Sequence, residues 1–377
     1  MSISNTNSIV SIQTVVPIRP TDPIINSCRI SVSPPKLDPN ILGRQFHLIL
    51  CYNKASDEDS GWLMAGWIKE SLSIALCELP MLAGRLRLRE SQDGGQDLQI
   101  VLNDSGIRLA EATTEMKLAD FLDLEGKKEA EGEVDVEVVF WEDVLEHNLQ
   151  FSPLFYVQVT NFSCGGYSIG ISCSLLLADP FALTGFLKRW INNHNTLVSQ
   201  TNASKPICYL PKLRKLGNSK ALLSGINTNK YPAQSVIFKI PTKILNLDKN
   251  VYKNLAGLCI DEAEHKIGRK MGSKFSLSVK KSHEVLKVEK CSTECLNEKT
   301  FCTVNGLTCG GWDDVLGADE TWFNGENKPA YVSCWINSIS DEGSVMIIVA
   351  DDEEIFVMQI IRGLKETGLY EKRKCQD

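Results

Sequence analysis

The most constraining part of the sequence is residues 152–193, where two β-like runs lead directly into an amphipathic helix. Residues 154–162 and 167–175 are rich in aromatic and β-branched side chains, which favour strands. The turn-forming sequence Cys164-Gly165-Gly166 separates the two runs. The pattern therefore predicts two neighbouring strands followed by a strand-to-helix connection at 175–179, the kind of loop where a rigid scaffold often carries functional residues.

The helix after this connection has a clear start. Asp179 is a favoured N-cap residue and Pro180 suits the first helical turn. Apolar side chains then recur at helical spacing at Leu183, Phe186, Leu187, Trp190 and Ile191. We expect His194 at the C-terminal end of this helix, where polar and cationic residues are favourable.

The same patterns predict alternating strands and helices elsewhere. Strand-like composition and turn residues indicate the strands and hairpins, and helical periodicity indicates the helices. In the first half they predict a strand at 45–53, a helix that starts near 57–60 and ends at Pro80, and a hairpin over 80–104. In the second half they predict a strand at 235–241, a helix at 253–266, a strand-like stretch at 274–289, a hairpin formed by 329–339 and 344–350, and a short helix at 353–367.

This order predicts an α/β protein with two mixed-sheet halves flanked by helices. Periodicity is lost after residue 198, where Ser, Asn, Pro, Lys and Arg accumulate. We therefore expect an N-terminal domain at 1–197, a crossover linker at 198–232 and a C-terminal domain at 233–377.

Charge and composition exclude several classes of protein. The formal net charge of -7 disfavours binding to nucleic acid. No segment approaches the roughly 20 apolar residues of a membrane span, and the N-terminal sequence lacks a basic start with an apolar stretch. The 13 cysteines are scattered and odd in number, which is typical of a reducing compartment. We therefore expect a cytoplasmic protein, and no metal site because the cysteines lack paired zinc-ligand spacing.

Several motifs resemble those of the plant BAHD acyltransferases, which transfer an acyl group from coenzyme A to an alcohol or amine. PMLAGRLR, NDSGIR and FSPLFYVQVTNFSCGGYSIGIS are similar to segments of the family's first half, and LLLAD at 175–179 lies where its HxxxD motif belongs. The resemblance implies a chloramphenicol acetyltransferase-like fold, acyl-CoA as co-substrate without a further cofactor, a small alcohol or amine acceptor, and a monomer.

The second half resembles the family less closely. DETWFNGENKPAYVS at 319–333 is similar to an altered DFGWG loop and its following strand, and it retains Asp319 and Trp322. The resemblance implies that this loop is structural support near the coenzyme A channel. The second half is also shorter than in the family, which either a genuine deletion or a gene-model error would explain.

The resemblance places Leu175 where the family has its catalytic histidine. That histidine takes a proton from the acceptor, a contribution of about 100- to 10,000-fold in rate, and leucine cannot replace it. The resemblance gives Asp179 a structural role, through a salt bridge across the domain interface. Cys173, two residues before Leu175, is a candidate substitute nucleophile if another group activates it.

The remaining polar residues are interpreted more simply. Ser172 and Ser174 are expected to be hydrogen-bonding strand residues. The five histidines lie apart in sequence, and none is in a motif that activates a nucleophile. The basic residues between Lys266 and Lys281 form either a solvated face or an attraction for coenzyme A phosphates.

Two functions remain open at this point, with a third as a weaker possibility. The first is a BAHD-like acyltransferase with weak or atypical catalysis. The second is a non-catalytic accessory protein that binds acyl-CoA or a protein partner in acyl-lipid (wax) elongation, because the same motifs resemble the eceriferum-type wax proteins. The third is a different reaction on a substrate that supplies its own base.

Overall fold

The computed structural model describes residues 7–22, 27–33, 39–56, 59–90, 96–131, 138–200, 206, 232–241, 249–268, 270, 272–281, 286–293, 308–310, 322–323, 327–337, 343–349 and 354–362. Within these residues the chain forms a mixed α/β structure. The helices are α1 (Pro39–Leu42), α2 (Gly61–Ala75), α3 (Leu118–Glu131), α4 (Pro180–Gln200) and α5 (Lys249–Ile267). The strands are β1 (Ser8–Val15), β2 (Ser27–Ser33), β3 (Gln45–Tyr52), β4 (Arg85–Glu90), β5 (Gln96–Val101), β6 (Ile107–Thr113), β7 (Phe155–Asn161), β8 (Tyr167–Ser174), β9 (Pro232–Pro241), β10 (Lys274–Lys281), β11 (Leu286–Ser292), β12 (Thr308–Gly310), β13 (Tyr331–Asn337), β14 (Gly343–Val349) and β15 (Glu354–Arg362).

One mixed sheet connects the two halves of the described chain. Its strand order is β1-β6-β7-β8-β3-β13-β9-β15-β14-β10-β11-β2-β5-β4, and β12 pairs with β9. β13 lies at the junction, because it pairs antiparallel with β3 of the first half and with β9 of the second. The domain boundaries expected at 198 and 232 stay a prediction, since strands of the first half occupy both ends of this sheet.

The two faces of the sheet bury different cores. The largest core includes α2, α4 and one face of strands from both halves, with members such as Leu72, Phe186, Leu48 and Met346. A second core packs α5 against β9, β10, β14 and β15. A third core covers the other face of β3 and β13 with α3 and the segment that begins at Val138. The end of β8 and the start of α4 therefore lie within the largest core.

The first half follows the predicted elements closely. β3, the β4–β5 hairpin and the antiparallel β7–β8 pair are all present. The Ser60 hydroxyl accepts a hydrogen bond from the Leu63 amide at 3.3 Å and caps α2, as expected for a helix N-cap. α2 ends at Ala75, and Pro80 instead begins a 3₁₀ turn.

Two predictions for the second half are wrong. The expected C-terminal hairpin is absent, because β13 pairs with β3 and β9 whereas β14 pairs with β10 and β15. The expected helix at 353–367 is the strand β15 as far as Arg362, and residues 363–367 lie outside the described residues. β15 pairs on both sides, so its apolar run of Ile355, Val357 and Met358 is buried in a central strand.

None of the helices in the described part of the chain is long and apolar enough to cross a membrane.

Candidate functional site

The connection between β8 and α4 is a tight turn anchored to β3. The Leu175 amide donates to the Arg44 carbonyl at 3.1 Å, and the Leu177 amide donates to the Ser174 carbonyl at 2.9 Å. α4 then begins under its predicted cap, because Asp179 Oδ1 accepts from the Ala182 amide at 2.9 Å. The loop has a fixed shape that positions Leu175 at its start and Asp179 at its end.

Asp179 also contacts the second half of the chain. Lys280 Nζ on β10 donates to Asp179 Oδ2 at 2.5 Å, and the side chains are 24% and 4% exposed respectively. A buried carboxylate needs such a partner, because an unpaired charge in an apolar core is strongly destabilising. The sequence left two roles open for the basic residues between Lys266 and Lys281, a solvated face or an attraction for coenzyme A phosphates. Lys280 instead forms an ion pair with Asp179. This contact joins the loop after β8 to β10, and the structural role that the resemblance implies for Asp179 stays a prediction.

Leu175 and Cys173 both lie in the largest core. Leu175 is 4% exposed and Cys173 is fully buried. Burial raises the pKa of the Cys173 thiol well above its ordinary value, and the nearby charge of Lys280 lowers it only in part. Cys173 Sγ lies 3.4 Å from the Ser174 carbonyl. This environment disfavours the thiolate that a substitute nucleophile would need.

The two retained residues of the altered DFGWG loop have different status. Asp319 lies outside the described residues. Trp322 is half-buried against the largest core, and its carbonyl accepts from Asn195 Nδ2 on α4 at 2.8 Å. Phe323 packs edge-on against Trp190 with ring centroids 4.6 Å apart. This short segment therefore packs against the helix that starts at Asp179, and its expected place near a coenzyme A channel stays a prediction.

His194 is not at the end of its helix, as the sequence had suggested. α4 continues to Gln200, and His194 is buried with Nδ1 3.0 Å from Ser71 Oγ on α2. Burial lowers the pKa of His194 to about 4, and a hydrogen bond with the Phe323 backbone partly opposes this change. His194 is consequently neutral near pH 7 and joins α4 to α2.

Sequence reasoning missed a polar cluster on the opposite face of the sheet, built around His47. His47 Nδ1 on β3 lies 2.8 Å from Ser172 Oγ on β8, and His47 Nε2 lies 3.2 Å from Asn337 Nδ2 on β13. His47 and Ser172 are each 1% exposed. Register could have indicated the first contact, because His47 and Ser172 are directly paired across the two strands.

His47 does not replace a base at Leu175. It is paired with Ser172, three residues before Leu175, and belongs to the face of β3 that carries Ile49 and Cys51. Leu175 packs in the core on the other face, with Phe46 and Leu48. Among the described residues, no group of three or more potential metal ligands is found.

The fold and the loop after β8 together indicate the class of protein to which this chain belongs. Helices flank a mixed sheet, and the loop after β8 holds a capping aspartate that is paired with a lysine of the other half. A family model described as "Transferase family" matches residues 10–214, which is more than half of the chain. The chain belongs to this family, the BAHD acyltransferases that its motifs resemble, and its fold is of the expected acyltransferase class.

Individual relatives match shorter regions. The chain is 33% identical over 123 residues to the Arabidopsis thaliana protein ECERIFERUM 26-like, which covers 33% of this chain and 27% of that protein. It is 29% identical over 196 residues to hydroxycinnamoyl-CoA:piscidic acid hydroxycinnamoyltransferase of Actaea racemosa, with 48% and 40% covered. These matches span less than half the length of either relative. Among solved structures, vinorine synthase is similar with a TM-score of 0.45, 16% identity and 94% of each chain covered.

Proposed function

We propose that this protein binds an acyl-CoA and a small alcohol or amine acceptor, and transfers the acyl group weakly because Leu175 occupies the position of the family's base. The observation that carries the proposal is that the loop after β8 keeps the contacts of Asp179 but has Leu175, which cannot accept a proton, at the position of the family's histidine. The Asp179 cap and its Lys280 partner are present, whereas Leu175 is a buried hydrocarbon. Such a site retains the means of positioning substrates but lacks general-base catalysis.

The acceptor class follows from the missing base. An acceptor that is already ionised, or a neutral amine with a free electron pair, needs less help with its proton than an aliphatic alcohol. Positioning alone can contribute substantially to the rate when both substrates are held in line. We therefore expect residual transfer to be greatest with amines and acidic phenols. The name of the hydroxycinnamoyltransferase relative supports a coenzyme A thioester as the donor.

A second function is favoured by the other relative. The similarity to ECERIFERUM 26-like extends over a third of this chain, and eceriferum-type proteins are the members that the motifs resemble. In this alternative the protein binds an acyl-CoA or a protein partner and supports acyl-lipid elongation without turnover. The two functions differ in whether acyl transfer increases when a base is introduced at position 175.

Restoring histidine separates these functions. We expect Leu175→His to increase transfer from an acyl-CoA to an alcohol by about 100-fold or more, the value of a positioned general base. The measurement is product formation by chromatography with a panel of acyl-CoAs and with paired alcohol and amine acceptors. The increase should be larger for alcohols than for amines, because only the alcohol depends strongly on proton removal.

Leu175→Asn is the matched control. Asparagine also introduces a polar group at this buried position but cannot act as a base near pH 7. Equal activity in the two variants contradicts the proposed role of position 175. A folded Leu175→His variant that binds acyl-CoA without gaining activity favours the accessory function. Binding is measured separately by thermal shift, because a ligand at about 100 times its Kd stabilises by about 2.7 kcal/mol.

We also propose that the protein acts as a monomer in the cytoplasm. The cysteines that the structure shows as free thiols support a reducing compartment; they are Cys51, Cys77, Cys164, Cys173, Cys259, Cys291 and Cys334. Sedimentation analysis and microscopy of a fluorescent fusion test the two statements independently.

A further inference from the structure

The polar cluster around His47 contains the elements of a second reactive centre. Ser172 Oγ lies 2.8 Å from His47 Nδ1, and the other ring nitrogen of His47 lies 3.2 Å from the side-chain amide of Asn337. An activated nucleophile generally consists of a hydroxyl that is hydrogen-bonded to an imidazole, with a third polar group that orients the imidazole. Three adjacent strands hold the three residues, so the arrangement is part of the rigid sheet.

The orientation of the Asn337 amide decides what Ser172 can do. With Asn337 Nδ2 towards His47, Nε2 accepts a hydrogen bond from the amide and Nδ1–H donates to Ser172 Oγ, which leaves the serine unactivated. A half-turn of the amide places Oδ1 at Nε2. His47 then donates from Nε2, and its Nδ1 can accept the Ser172 proton. Asn337 Oδ1 has no hydrogen-bond partner among the described residues in the first orientation. The half-turn gives Oδ1 a donor and leaves Nδ2 at the unpaired position, so the two orientations make the same number of hydrogen bonds.

Buried donors without partners surround the same cluster. The Trp335 ring stacks on the His47 ring at 5.1 Å, and the Trp141 ring meets it edge-on at 6.4 Å. Within the described part of the chain, both indole Nε1 atoms and the Gln45 amide lack a partner although they are buried. Each unsatisfied buried polar group destabilises the folded state. A ligand with carbonyl oxygens would offset part of this cost.

We propose that Ser172 is a nucleophile, with His47 as its base and Asn337 as the positioning residue, and that Ser172 accepts an acyl group from a thioester to form a covalent serine ester. Ser172 Oγ bonds to the acyl carbon while its proton passes to His47 Nδ1. The carbon–sulfur bond breaks, and the leaving thiolate takes that proton from the imidazolium. Water or an alcohol then attacks the ester carbon and gives its proton to His47. The bond between that carbon and Ser172 Oγ breaks, Oγ takes the proton back from the imidazolium, and a carboxylic acid or a new ester is released.

Access to Ser172 requires movement of the segment above β8. A Cβ atom at Gly170 would lie 2.2 Å from the Val138 carbonyl oxygen and 3.0 Å from a Val139 methyl group, so Val138 and Val139 lie directly on the strand. Val138, Val139 and Trp141 are buried in this position. The acyl group therefore reaches Ser172 when this segment is displaced, and we expect acylation to be slow. The donor is the acyl-CoA of the proposed function, on which this inference depends for its natural substrate.

The test is acylation of the intact protein by two donors. The protein is incubated with acetyl-CoA or with 4-nitrophenyl acetate, and the adduct is located by mass spectrometry of the whole protein and its peptides. We expect acetylation of Ser172 that is lost in Ser172→Ala and falls by about 100-fold or more in His47→Gln. Ser168→Ala is the matched control, because Ser168 is another buried serine of β8, and it should leave the adduct unchanged.

Asn337 is tested without altering the nucleophile or the base. Asn337→Asp can only accept a hydrogen bond when ionised, so it should keep or raise the acylation rate, whereas Asn337→Leu should lower it. Near-ultraviolet circular dichroism verifies that each variant is folded, and the Asn337 pair still tests the arrangement if His47→Gln unfolds.

The two donors distinguish the two proposals. Absence of a Ser172 adduct with both donors, or an equal adduct in folded His47→Gln, overturns the inference. An adduct with the aryl ester alone supports the Ser172 centre but counts against acyl-CoA binding. Acyl-CoA stabilisation of Ser172→Ala in a thermal shift supports the proposed function whatever the state of Ser172.

Discussion

The contact between Asp179 and Lys280 gives the sharpest test of how the two halves are joined. We expect Lys280→Met to destabilise the protein much more than a surface lysine substitution would. Methionine preserves the length and apolar stem of lysine but removes the charge that faces Asp179 Oδ2. Asp179 remains 4% exposed and bound to the Ala182 amide, so its carboxylate cannot easily turn towards water.

The magnitude follows from this unequal burial. Breaking a buried ion pair by removing one partner costs about 3 to 5 kcal/mol. Because Lys280 is 24% exposed, water can partly replace it, and we expect a loss at the lower end, about 3 kcal/mol. Asp179→Asn keeps the helix cap and leaves the more exposed lysine to hydrate, so its cost should be about 1 kcal/mol. The double variant should cost less than the sum, with a coupling energy of about 1 to 3 kcal/mol.

Urea unfolding of the wild type, the two single variants and the double variant measures this coupling. Lys274→Met is the control, because Lys274 is an exposed residue of the same strand, and it should change the free energy of unfolding by no more than about 0.5 kcal/mol. A loss below about 1 kcal/mol for Lys280→Met, which is the range of exposed ion pairs, refutes the reasoning. Additive single effects would refute it as well.

Three further predictions concern other parts of the structure. His194 has a pKa of about 4 when folded and about 6.5 when unfolded, so the unfolded state binds more protons between these values. Its contribution of about 3 kcal/mol should be lost as the pH falls from 6.5 to 4, and the pH-dependent unfolding curves of wild type and His194→Gln should differ by that amount; parallel curves would contradict it. Gly170→Ala forces a Cβ against the Val138 carbonyl and should cost about 1 to 3 kcal/mol, whereas Gly185→Ala in α4, where the added Cβ would meet only the Arg189 side chain at an ordinary contact distance of 3.6 Å, should be neutral or stabilising in the same denaturation assay. Iodoacetamide should modify exposed Cys164 and leave buried Cys173 unmodified in the native protein, as measured by peptide mass spectrometry, and equal labelling would show that Cys173 is accessible.

Local chemistry was sufficient to predict much of the first half. Ser60 and Asp179 identified two helix starts because a capping side chain acts on the amides next to it. The β4–β5 hairpin was equally evident, since its turn and both strands are adjacent in sequence. The family motifs implied a salt bridge for Asp179 without naming its partner, and the structure places Lys280 beside it.

The errors arose where pairing depends on distant parts of the chain. The apolar run of β15 fits a helix or a buried strand by periodicity alone, and only its two neighbours decide between them. β13 and β14 are joined by a turn-like sequence, yet other strands lie between them in the sheet. The sequence did not reveal the His47 cluster for the same reason, because the hydrogen bonds of His47 join it to residues 125 and 290 positions away in the chain.

The position of β2, β4 and β5 has a consequence for biosynthesis. These strands are synthesised early, but they lie at the far end of the strand order, where β2 pairs with β11 and is followed by β5 and β4. On the ribosome they must wait for more than half of the polypeptide before β2 finds its parallel neighbour. Exposed strand edges of this kind are prone to aggregate, so we expect newly made chains to depend on chaperones and truncated fragments to be recovered poorly.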